Sequence, residues 1–395
     1  MKKTKWFDDK KKYYVFRSLN KRFLIPVWVL VMLDGGLSIE QIGVIAIIGV
    51  AIGLILEVPS GAISDAIGHK RTLVLAMIGQ GAAMLFFAGG GFWWFLAASI
   101  TYYAMGTFMT GTHQALFYER LIELGEGDKY RKYSGIARTV SSGWSMVAVA
   151  FAGIVYAFSP MFAFAVGAGL FWIGAIVVST MKQAKRKRSV QKDEGFWAVF
   201  THFKTASRTM LKDRRLFWLT IANAFIFSAP MAVLEFQQVI FENIGIVAAV
   251  FGFIYAAKRG ISMLFSTFIH RITRSLSATG ALFIMLCLAA LYFFGFGFLQ
   301  NQMLIIIVAL LPSIVVVIQD VVISDFRNKL IPTGSRATTI SFGNFIGGIL
   351  KAVILGAITL LTLFVSIEIA HVIIGAALVI SCLYLIPMTA KAFRA

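Results

Sequence analysis

Apolar stretches of about 20 residues recur along the whole chain, and they constrain its fold more than any other feature. A helix needs about 20 residues, at about 1.5 Å of rise each, to cross a hydrocarbon core of about 30 Å. By that measure the 395-residue sequence contains about twelve spans. They fall near residues 12–33, 40–61, 71–89, 93–118, 132–157, 160–181, 216–241, 244–268, 276–298, 302–326, 333–358 and 364–388. The sequence therefore predicts an all-α integral membrane protein with twelve transmembrane helices.

The composition excludes several other classes of protein. Hydrophobic residues make up 59% of the chain and charged residues 14%, whereas an average soluble domain is about 45–50% apolar and about 25% charged. A soluble enzyme, a disordered protein and a disulfide scaffold are therefore excluded. Cys287 and Cys382 lie far apart in apolar runs, so we interpret them as small core residues. The N-terminus has no short apolar region with a cleavage site, so we expect no cleaved signal.

The positive charges indicate the topology. The net charge of +19 would suggest nucleic acid on a soluble protein. Here the Lys and Arg residues concentrate in the N-terminal tail, the turns after even-numbered spans, the segment 182–215 and the C-terminus. Arg327 is counted with the turn after span ten. Because cytoplasmic loops collect Lys and Arg, both termini are predicted to be cytoplasmic. The charge then reflects topology and attraction to anionic lipid, and no nucleic-acid partner is expected.

A long polar segment divides the chain. Residues 182–215 separate an N-terminal half, residues 1–181, from a C-terminal half, residues 216–395, and we interpret them as a cytoplasmic linker. A faint repeat supports this division, because residues 118–122 resemble residues 326–331. Two six-helix, pseudo-symmetric halves in parallel repeat predict alternating access around a site near the middle of the membrane.

One motif resembles a known family. Between spans two and three the chain reads Gly61-Ala-Ile-Ser-Asp65-Ala-Ile-Gly68-His-Lys70-Arg71. This resembles the GxxxD[RK]xG[RK][RK] signature of the major facilitator superfamily, in the loop where that family carries it. With the arrangement of six and six spans, the resemblance covers the whole chain. The segments 37–43, 57–61 and 324–338 look like those of bacterial multidrug-efflux members.

The motif resembles the family's conformational latch. Gly61 has no side chain, so another helix can approach closely. Asp65 places a negative charge near the predicted start of span eleven, around residues 333–335, where helix N–H groups are unsatisfied. The resemblance implies that this contact, with Gly68, Lys70 and Arg71, holds the outward-facing state. The alternative is a charged turn that only follows the positive-inside rule.

The chain departs from the family pattern in three places. Ala66 replaces the basic residue after Asp65. The RxxQG pattern of drug/proton antiporters is absent from span four, and the glycine- and proline-rich pattern is absent from the end of span five. Ala66 removes a charge from the network of the motif loop, and the two missing patterns count against proton antiport specifically.

Charged and polar residues within the spans are the next candidates for function. A charge at membrane depth costs at least about 2.5–3.5 kcal/mol unless it faces water or a partner. Only about eleven apolar residues follow Arg22 before Asp34, too few to cross, so span one must include Asn20 and Arg22. Further charged or titratable residues at comparable or greater depth are Glu57, His113, Arg138, Glu235, Asp320 and Lys351.

These charges support two interpretations. In the functional one, Asp320, Glu235 and Glu57 are proton-coupling acids, and the basic residues Arg22, Arg138 and Lys351 are counter-charges. In the other, the pairs Glu57–Arg138 and Glu235–Lys351 only hold helices together. His113 is either a proton shuttle or a hydrogen-bonded packing residue.

Aromatic and amide side chains are the candidates for lining a substrate cavity. Trp144 and Tyr255 lie in spans that line the cavity in this family, as do Tyr102 and Phe236, and each is also a candidate for packing alone. Gln238 and Asn344 are polar groups in such spans and are stronger candidates. No HExxH, GxSxG or Walker pattern is present, so we expect no enzyme, no metal site and no cofactor beyond an ion gradient.

The sequence leads to one functional hypothesis and a second open alternative. The first is a secondary transporter, a monomer in a bacterial plasma membrane, that exports amphiphilic small molecules or drugs in exchange for protons. The second is a transporter of an anionic metabolite or lipid, suggested by Lys21, Arg22 and Arg138. A non-transporting receptor or scaffold and a membrane-embedded enzyme are the remaining, less favoured classes.

Overall fold

The computed structural model confirms the predicted all-α fold class. It describes residues 2–19, 23–183, 207–234, 236–272, 276–331 and 336–394. These residues form helices joined by short turns, with no β-strand among them. Ten of the helices in this part of the chain are long and apolar enough to cross a membrane. The protein is therefore a multi-pass integral membrane protein.

The chain divides into two compact units. The first contains Met1–Asp193 and Ala248–Ala256, and the second contains Glu194–Val247 and Ala257–Ala395. Most of the predicted linker, residues 182–215, lies outside the described residues. The predicted boundaries at residues 181 and 216 therefore stay a prediction.

Helices α1 to α8 build the first unit. They are α1 (Lys2–Leu19), α2 (Trp28–Asp34), α3 (Ile39–Ile67), α4 (His69–Phe86), α5 (Gly91–Met109), α6 (Thr112–Glu123), α7 (Tyr130–Phe158) and α8 (Pro160–Ser179). Helix α4 packs against α5 and α8, and α1 packs against α7 and α8. Local sequence determines several helix starts: Ser38 and Gln41 form a capping box at α3, and the Ser159 side chain caps α8 before Pro160.

Helices α9 to α16 build the second unit, except that the first nine residues of α11, Ala248–Ala256, belong to the first unit. They are α9 (Arg214–Val233), α10 (Gln237–Asn243), α11 (Ala248–Ile272), α12 (Ala278–Phe298), α13 (Gln302–Ile318), α14 (Ser324–Leu330), α15 (Arg336–Leu361) and α16 (Ile367–Arg394). A π-helical turn, Gln319–Ile323, joins α13 to α14. Within the second unit, α9 packs against α15 and α16, and α12 packs against α13 and α16.

The first span of each predicted half is a broken helix. Span one was expected to be continuous over residues 12–33, but α1 ends at Leu19 and α2 begins at Trp28. A short 3₁₀ turn between them contains Pro26, whose nitrogen has no hydrogen to donate to a helix. Span seven was expected over residues 216–241, but α9 ends at Val233 and α10 begins at Gln237. Discontinuous helices of this kind form substrate and ion sites in many transporters.

Two further expectations about helix ends were wrong. Span four, expected over residues 93–118, is split between α5 and α6 at Gly111, which has a φ of +79°. The motif residues Gly61 to Asp65 do not lie in a loop, because α3 continues through them to Ile67. Only Gly68 connects α3 to α4, and its φ of +95° is a conformation that favours glycine.

Candidate functional site

A cavity of about 200 Å³ lies within the second unit. Its walls come from α9, from α15 and from the segment of span ten that includes the π-helical turn. One part of the lining is apolar or lacks a side chain: Ala224, Phe227, Met231, Gly343, Gly347 and Gly348. The other part is polar or basic: Asn223, Ser228, Gln319, Arg327, Asn344 and Lys351. The described lining therefore contains two cations and no carboxylate.

A hydrogen bond between α9 and α15 holds two walls of this cavity together. The hydroxyl of Ser228 donates to the backbone carbonyl of Gly347 at 2.9 Å. A Cβ atom at position 347 would lie 3.5 Å from that hydroxyl oxygen, so the two helices approach closely here. Close helix approach at small residues is a common packing mode in membranes.

Arg327 is the most deeply buried cation of the cavity. Its side chain is attached to α14, and the residue is only 5% exposed. The guanidinium Nη2 donates to the carbonyl oxygen of Ile340 at 3.4 Å. It also lies against Gly343, where an added Cβ would stand 3.1 Å from Nη2. Among the residues that the structure describes, no carboxylate forms an ion pair with it.

Two amide oxygens in the same lining have no hydrogen-bond partner within the described part of the chain. They are Oδ1 of Asn223 and Oε1 of Gln319. Asn223 is 5% exposed. Buried polar atoms in folded proteins almost always have a partner. These two acceptors are therefore available to a donor other than the described residues.

Two of the predicted cavity residues, Asn344 and Lys351, lie in this cavity. Asp320, a predicted proton-coupling acid, is the neighbour of Gln319 on the π-helical turn and is exposed. Glu235, its predicted counterpart on span seven, lies outside the described residues. Asn20 and Arg22 also lie outside them.

A second buried cation of this unit escaped the sequence analysis. Lys258, on α11, is 8% exposed, and its Nζ donates to Oε1 of Gln237 at 2.7 Å. Gln237 and the predicted cavity residue Gln238 are both fully buried on α10, directly after the break in span seven. The signal in the sequence is a lysine within the apolar run 244–268, since a charge at membrane depth is costly unless it has a partner.

In the first unit, His113 is part of a buried hydrogen-bond network. The Tyr13 hydroxyl lies 3.1 Å from its Nδ1 atom, and Nη1 of Arg17 lies 3.0 Å from its Nε2 atom. Because a guanidinium only donates hydrogen bonds, Nε2 must accept, and Nδ1 then carries the proton and donates to Tyr13. The Ser141 hydroxyl fixes the same turn of α1 by donating to the Arg17 carbonyl at 2.7 Å. This arrangement favours packing over proton shuttling for His113.

The motif residues lie around a histidine. Nε2 of His69 is 3.2 Å from a carboxylate oxygen of Glu119 and 3.7 Å from one of Asp65. Nδ1 of His69 is hydrogen-bonded to the Ser64 hydroxyl at 3.0 Å. His69 was not singled out, although it occupies a position where the signature has a basic residue.

The other motif residues are accessible. Gly61, Asp65 and Arg71 are exposed, and Gly68 and Lys70 are half-buried. Residues 333–335, the predicted contact of Asp65, lie outside the described residues. The latch therefore stays a prediction.

The remaining predicted residues of the described chain differ in their exposure. Glu57, Arg138 and Trp144 are exposed, and Tyr255 is buried on α11. Within the described structure Glu57 and Arg138 form no ion pair with each other, and the pairing considered for them stays a prediction. Within the described residues, no group of three or more His, Cys, Asp or Glu side chains is arranged to hold a metal ion.

Comparison with known families decides the assignment. The model of the Major Facilitator Superfamily matches residues 13–355. The chain belongs to the major facilitator superfamily. Its fold is that of the membrane transporters of this superfamily. No curated protein sequence matches the chain.

Solved structures of transporters in this superfamily share the fold. The nucleoside transporter NupG is 13% identical, covers 97% of this chain and 98% of its own, and has a TM-score of 0.75. A bacterial homologue of the human lysosomal transporter Spinster is 11% identical, with 99% and 96% coverage and a TM-score of 0.68. An auto-inhibited POT family peptide transporter is 12% identical, with 97% and 96% coverage and a TM-score of 0.70. At these identities the likeness extends to the fold alone.

Proposed function

We propose that this member of the superfamily is a secondary active transporter that exports amphiphilic small molecules in exchange for protons. The observation that carries the proposal is the divided lining of the cavity in the second unit. Phe227 and Met231 offer an apolar surface, while Asn223, Gln319 and Arg327 offer polar contacts. An amphiphilic molecule presents the same two kinds of surface. Multidrug-efflux relatives, suggested by the motif sequences, fit this class of substrate.

The proposed proton carrier is Asp320. It lies on the π-helical turn beside Gln319, and π-turns inside α-helices occur frequently at functional sites. A carboxylate takes up a proton when a closing cavity removes its water, and it releases the proton when water or a cation returns. Glu235 and Glu57 are further candidate carriers, with Arg22, Arg138 and Lys351 as counter-charges. The proposed energy source is the proton gradient, with no other cofactor.

The proposed setting is a bacterial inner membrane, with a monomeric protein and both termini in the cytoplasm. Alternating access would then carry the substrate outward as the two halves rock. The residues Gly61, Asp65, Gly68, Lys70 and Arg71 are the proposed latch of the outward-facing state.

A flux assay tests the proposed function. The protein is placed in liposomes that contain a pH-sensitive dye, and lipophilic cations, neutral amphiphiles and organic anions are added in turn. We expect substrate-triggered proton movement that is lost in Asp65→Asn and kept in Asp325→Asn. Asp325 is a suitable control because it is exposed and forms an ion pair with Lys329 on the neighbouring turn at 2.6 Å. Proton movement that is the same in both variants would contradict the latch.

A separate variant, Asp320→Asn, tests whether Asp320 carries the proton. We expect Asp320→Asn to abolish the pH dependence of transport while substrate binding persists, because the amide keeps the size of the side chain and loses its titration. Full pH-coupled transport in this variant would move the proposal to Glu235, for which Glu235→Gln is the corresponding test.

A second candidate function is the transport of an anionic metabolite or lipid. It is favoured by the two cavity cations, Arg327 and Lys351, and by the buried Lys258 close to the break in span seven. Competition of transport by organic anions, and not by lipophilic cations, would favour this candidate. The reverse pattern of competition would exclude it.

A further inference from the structure

We propose that the cavity of the second unit binds the acidic end of an amphiphilic organic acid that also carries a hydroxyl or amino group. The inference rests on the proposed function, because it names the class of substrate that this transporter takes. Arg327 holds the acidic group, and the amide oxygens of Asn223 and Gln319 accept the hydrogen bond of the hydroxyl or amine.

The first step is the charge of Arg327. A guanidinium has five N–H donors, and the described structure gives one of them an acceptor, the carbonyl of Ile340. Burial of a charge is costly unless the charge is paired and hydrogen-bonded. A carboxylate or phosphate group accepts two parallel hydrogen bonds from a guanidinium, which is the strongest pairing available to this side chain. The cavity therefore favours an oxygen acid over a neutral or cationic ligand.

The second step is the sign of the remaining lining. Lys351 contributes another positive charge to the wall formed by α15, and no described lining residue is acidic. A cationic ligand would meet the like charge of Arg327, which forms no ion pair with a carboxylate of the described residues, whereas an anion would be attracted by it. The lining thus discriminates by sign as well as by geometry.

The third step is the pair of acceptors. Oδ1 of Asn223 and Oε1 of Gln319 are buried and without a partner among the described residues, so an acid alone leaves them unsatisfied. A ligand that adds a hydroxyl or an amine supplies the missing donor. A site built to bind such a group rejects an analogue that lacks it, because the protein acceptors then remain unpaired.

The fourth step is size. Small-molecule pockets usually measure about 300–1,000 Å³, and this cavity measures about 200 Å³. It therefore accommodates a polar head group and a few adjoining carbon atoms. Phe227 and Met231 provide the apolar contact for those atoms.

Equilibrium binding tests the inference without any gradient. Isothermal titration calorimetry is performed on the full-length protein in lipid nanodiscs with four probes. The first probe, 3-phenyllactate, has a carboxylate, a hydroxyl and an apolar ring. Two analogues each lack one group: 3-phenylpropionate has no hydroxyl, and methyl 3-phenyllactate has no charge. Phenyl phosphate carries a phosphate in place of the carboxylate. We expect 3-phenyllactate to bind at least about tenfold more tightly than its methyl ester and than 3-phenylpropionate. The relative affinity of phenyl phosphate shows which oxygen acid is preferred.

Variants connect the binding to the residues. Arg327→Gln is expected to weaken 3-phenyllactate about tenfold or more, and Arg327→Lys to weaken it less. Lys329→Gln is the matched control, because it removes the same charge two positions away, from a side chain that is 69% exposed. Asn223→Ala is expected to bring 3-phenyllactate to the affinity of 3-phenylpropionate. If Arg327→Gln does not fold, the binding selectivity of Asn223→Ala tests the inference.

The outcomes separate the two proposals. Equal binding of 3-phenyllactate and its methyl ester, or unchanged selectivity in Asn223→Ala, would overturn the inference even if proton-coupled export is observed. Selective binding that depends on Arg327 and Asn223 would support it even if no proton movement is found, and the proposed coupling alone would then fail.

Discussion

Nε2 of His69 lies 3.2 Å from a carboxylate oxygen of Glu119, which joins the start of α4 to the exposed surface of α6. We expect this contact to stabilise the fold. Because Glu119 is one-third exposed, solvent screening limits the interaction to about 1 kcal/mol. A double-mutant cycle with His69→Gln and Glu119→Gln, measured by thermal unfolding, gives the coupling energy.

The same cycle can contradict this relationship. A coupling energy of zero would show that the contact between His69 and Glu119 does not contribute to stability, and that the hydrogen bond between His69 and Ser64 is the one that matters. Asp65 lies farther from the imidazole, at 3.7 Å. We therefore expect the coupling energy between His69 and Asp65 to be smaller than the coupling energy between His69 and Glu119.

Two adjacent tyrosines on α1 provide a matched pair for the next prediction. The Tyr13 hydroxyl is hydrogen-bonded to His113, and its ring stacks on Phe117 with centroids 3.8 Å apart. The Tyr14 hydroxyl is buried, and no partner for it exists in the described part of the chain. We expect Tyr13→Phe to lower the free energy of unfolding by about 1–2 kcal/mol, because the His113 N–H loses its acceptor. Tyr14→Phe should be neutral or stabilising. Denaturant unfolding of the purified protein measures both.

Equal losses in the two variants would contradict the network around His113. Tyr13→Phe keeps the stacked ring, so a large loss in that variant alone can be assigned to the hydrogen bond. A large loss in Tyr14→Phe would instead mean that both hydroxyls have partners.

The fold class and the family could be predicted from the sequence, because the length of a hydrophobic helix is fixed by the membrane and the Gly61–Asp65 spacing is a strong motif. The breaks in spans one and seven were not predicted, because the length of an apolar run indicates that the chain can cross the membrane but not that it crosses as one continuous helix. Pro26 in the first break was the visible signal. Arg327 was counted as a cytoplasmic charge because it stands at the end of a span. Its burial depends on the packing of α9 against α15, which no local pattern encodes.

The start of α9 carries a pH-dependent cap. The Asp213 side chain accepts hydrogen bonds from the backbone N–H of Arg215 at 2.9 Å and of Leu216 at 3.4 Å. Partial burial alone would raise the pKa of Asp213, but the hydrogen bonds from the Arg215 side chain and from these two N–H groups outweigh it and lower the pKa. The cap therefore stabilises the fold above the ordinary carboxyl pKa, and this contribution is lost as the pH falls through the lowered value.

Two substitutions test this cap. We expect Asp213→Ala to cost about 0.5–2 kcal/mol at pH 7, the usual range for an N-cap. Asp213→Asn should retain most of the stability at pH 7 and lose less of it on acidification, because an amide caps without titrating. Thermal unfolding between pH 7 and pH 3 measures both, with Asp325→Ala as an exposed control. A steeper loss on acidification in Asp213→Asn than in the wild type would contradict the argument.

Two helix backbones of the first unit approach each other closely where α7 meets the first residues of α11. A Cβ atom at Gly153 would overlap the carbonyl oxygen of Ala248, and one at Gly252 would overlap the carbonyl oxygen of Ala150. Since these neighbours are backbone atoms, they cannot rotate away as a side chain would. We expect Gly153→Ala to destabilise the protein by about 1–3 kcal/mol, the range for inserting a methyl group into a packed site.

Gly143, on the same helix α7, is the matched control. Nothing lies within 4 Å of a Cβ atom at that position. Alanine is favoured over glycine inside a helix by about 0.5–1 kcal/mol, so Gly143→Ala should leave the protein equally stable or stabilise it. Thermal unfolding of both variants in the same nanodiscs measures their stabilities. The difference between them separates the effect of alanine on helix propensity from its effect on the contact between the helices. Equal stability of the two variants would mean that the helices do not need the bare backbone at Gly153. A loss confined to Gly153→Ala would show that the contact with α11 sets the requirement for glycine there.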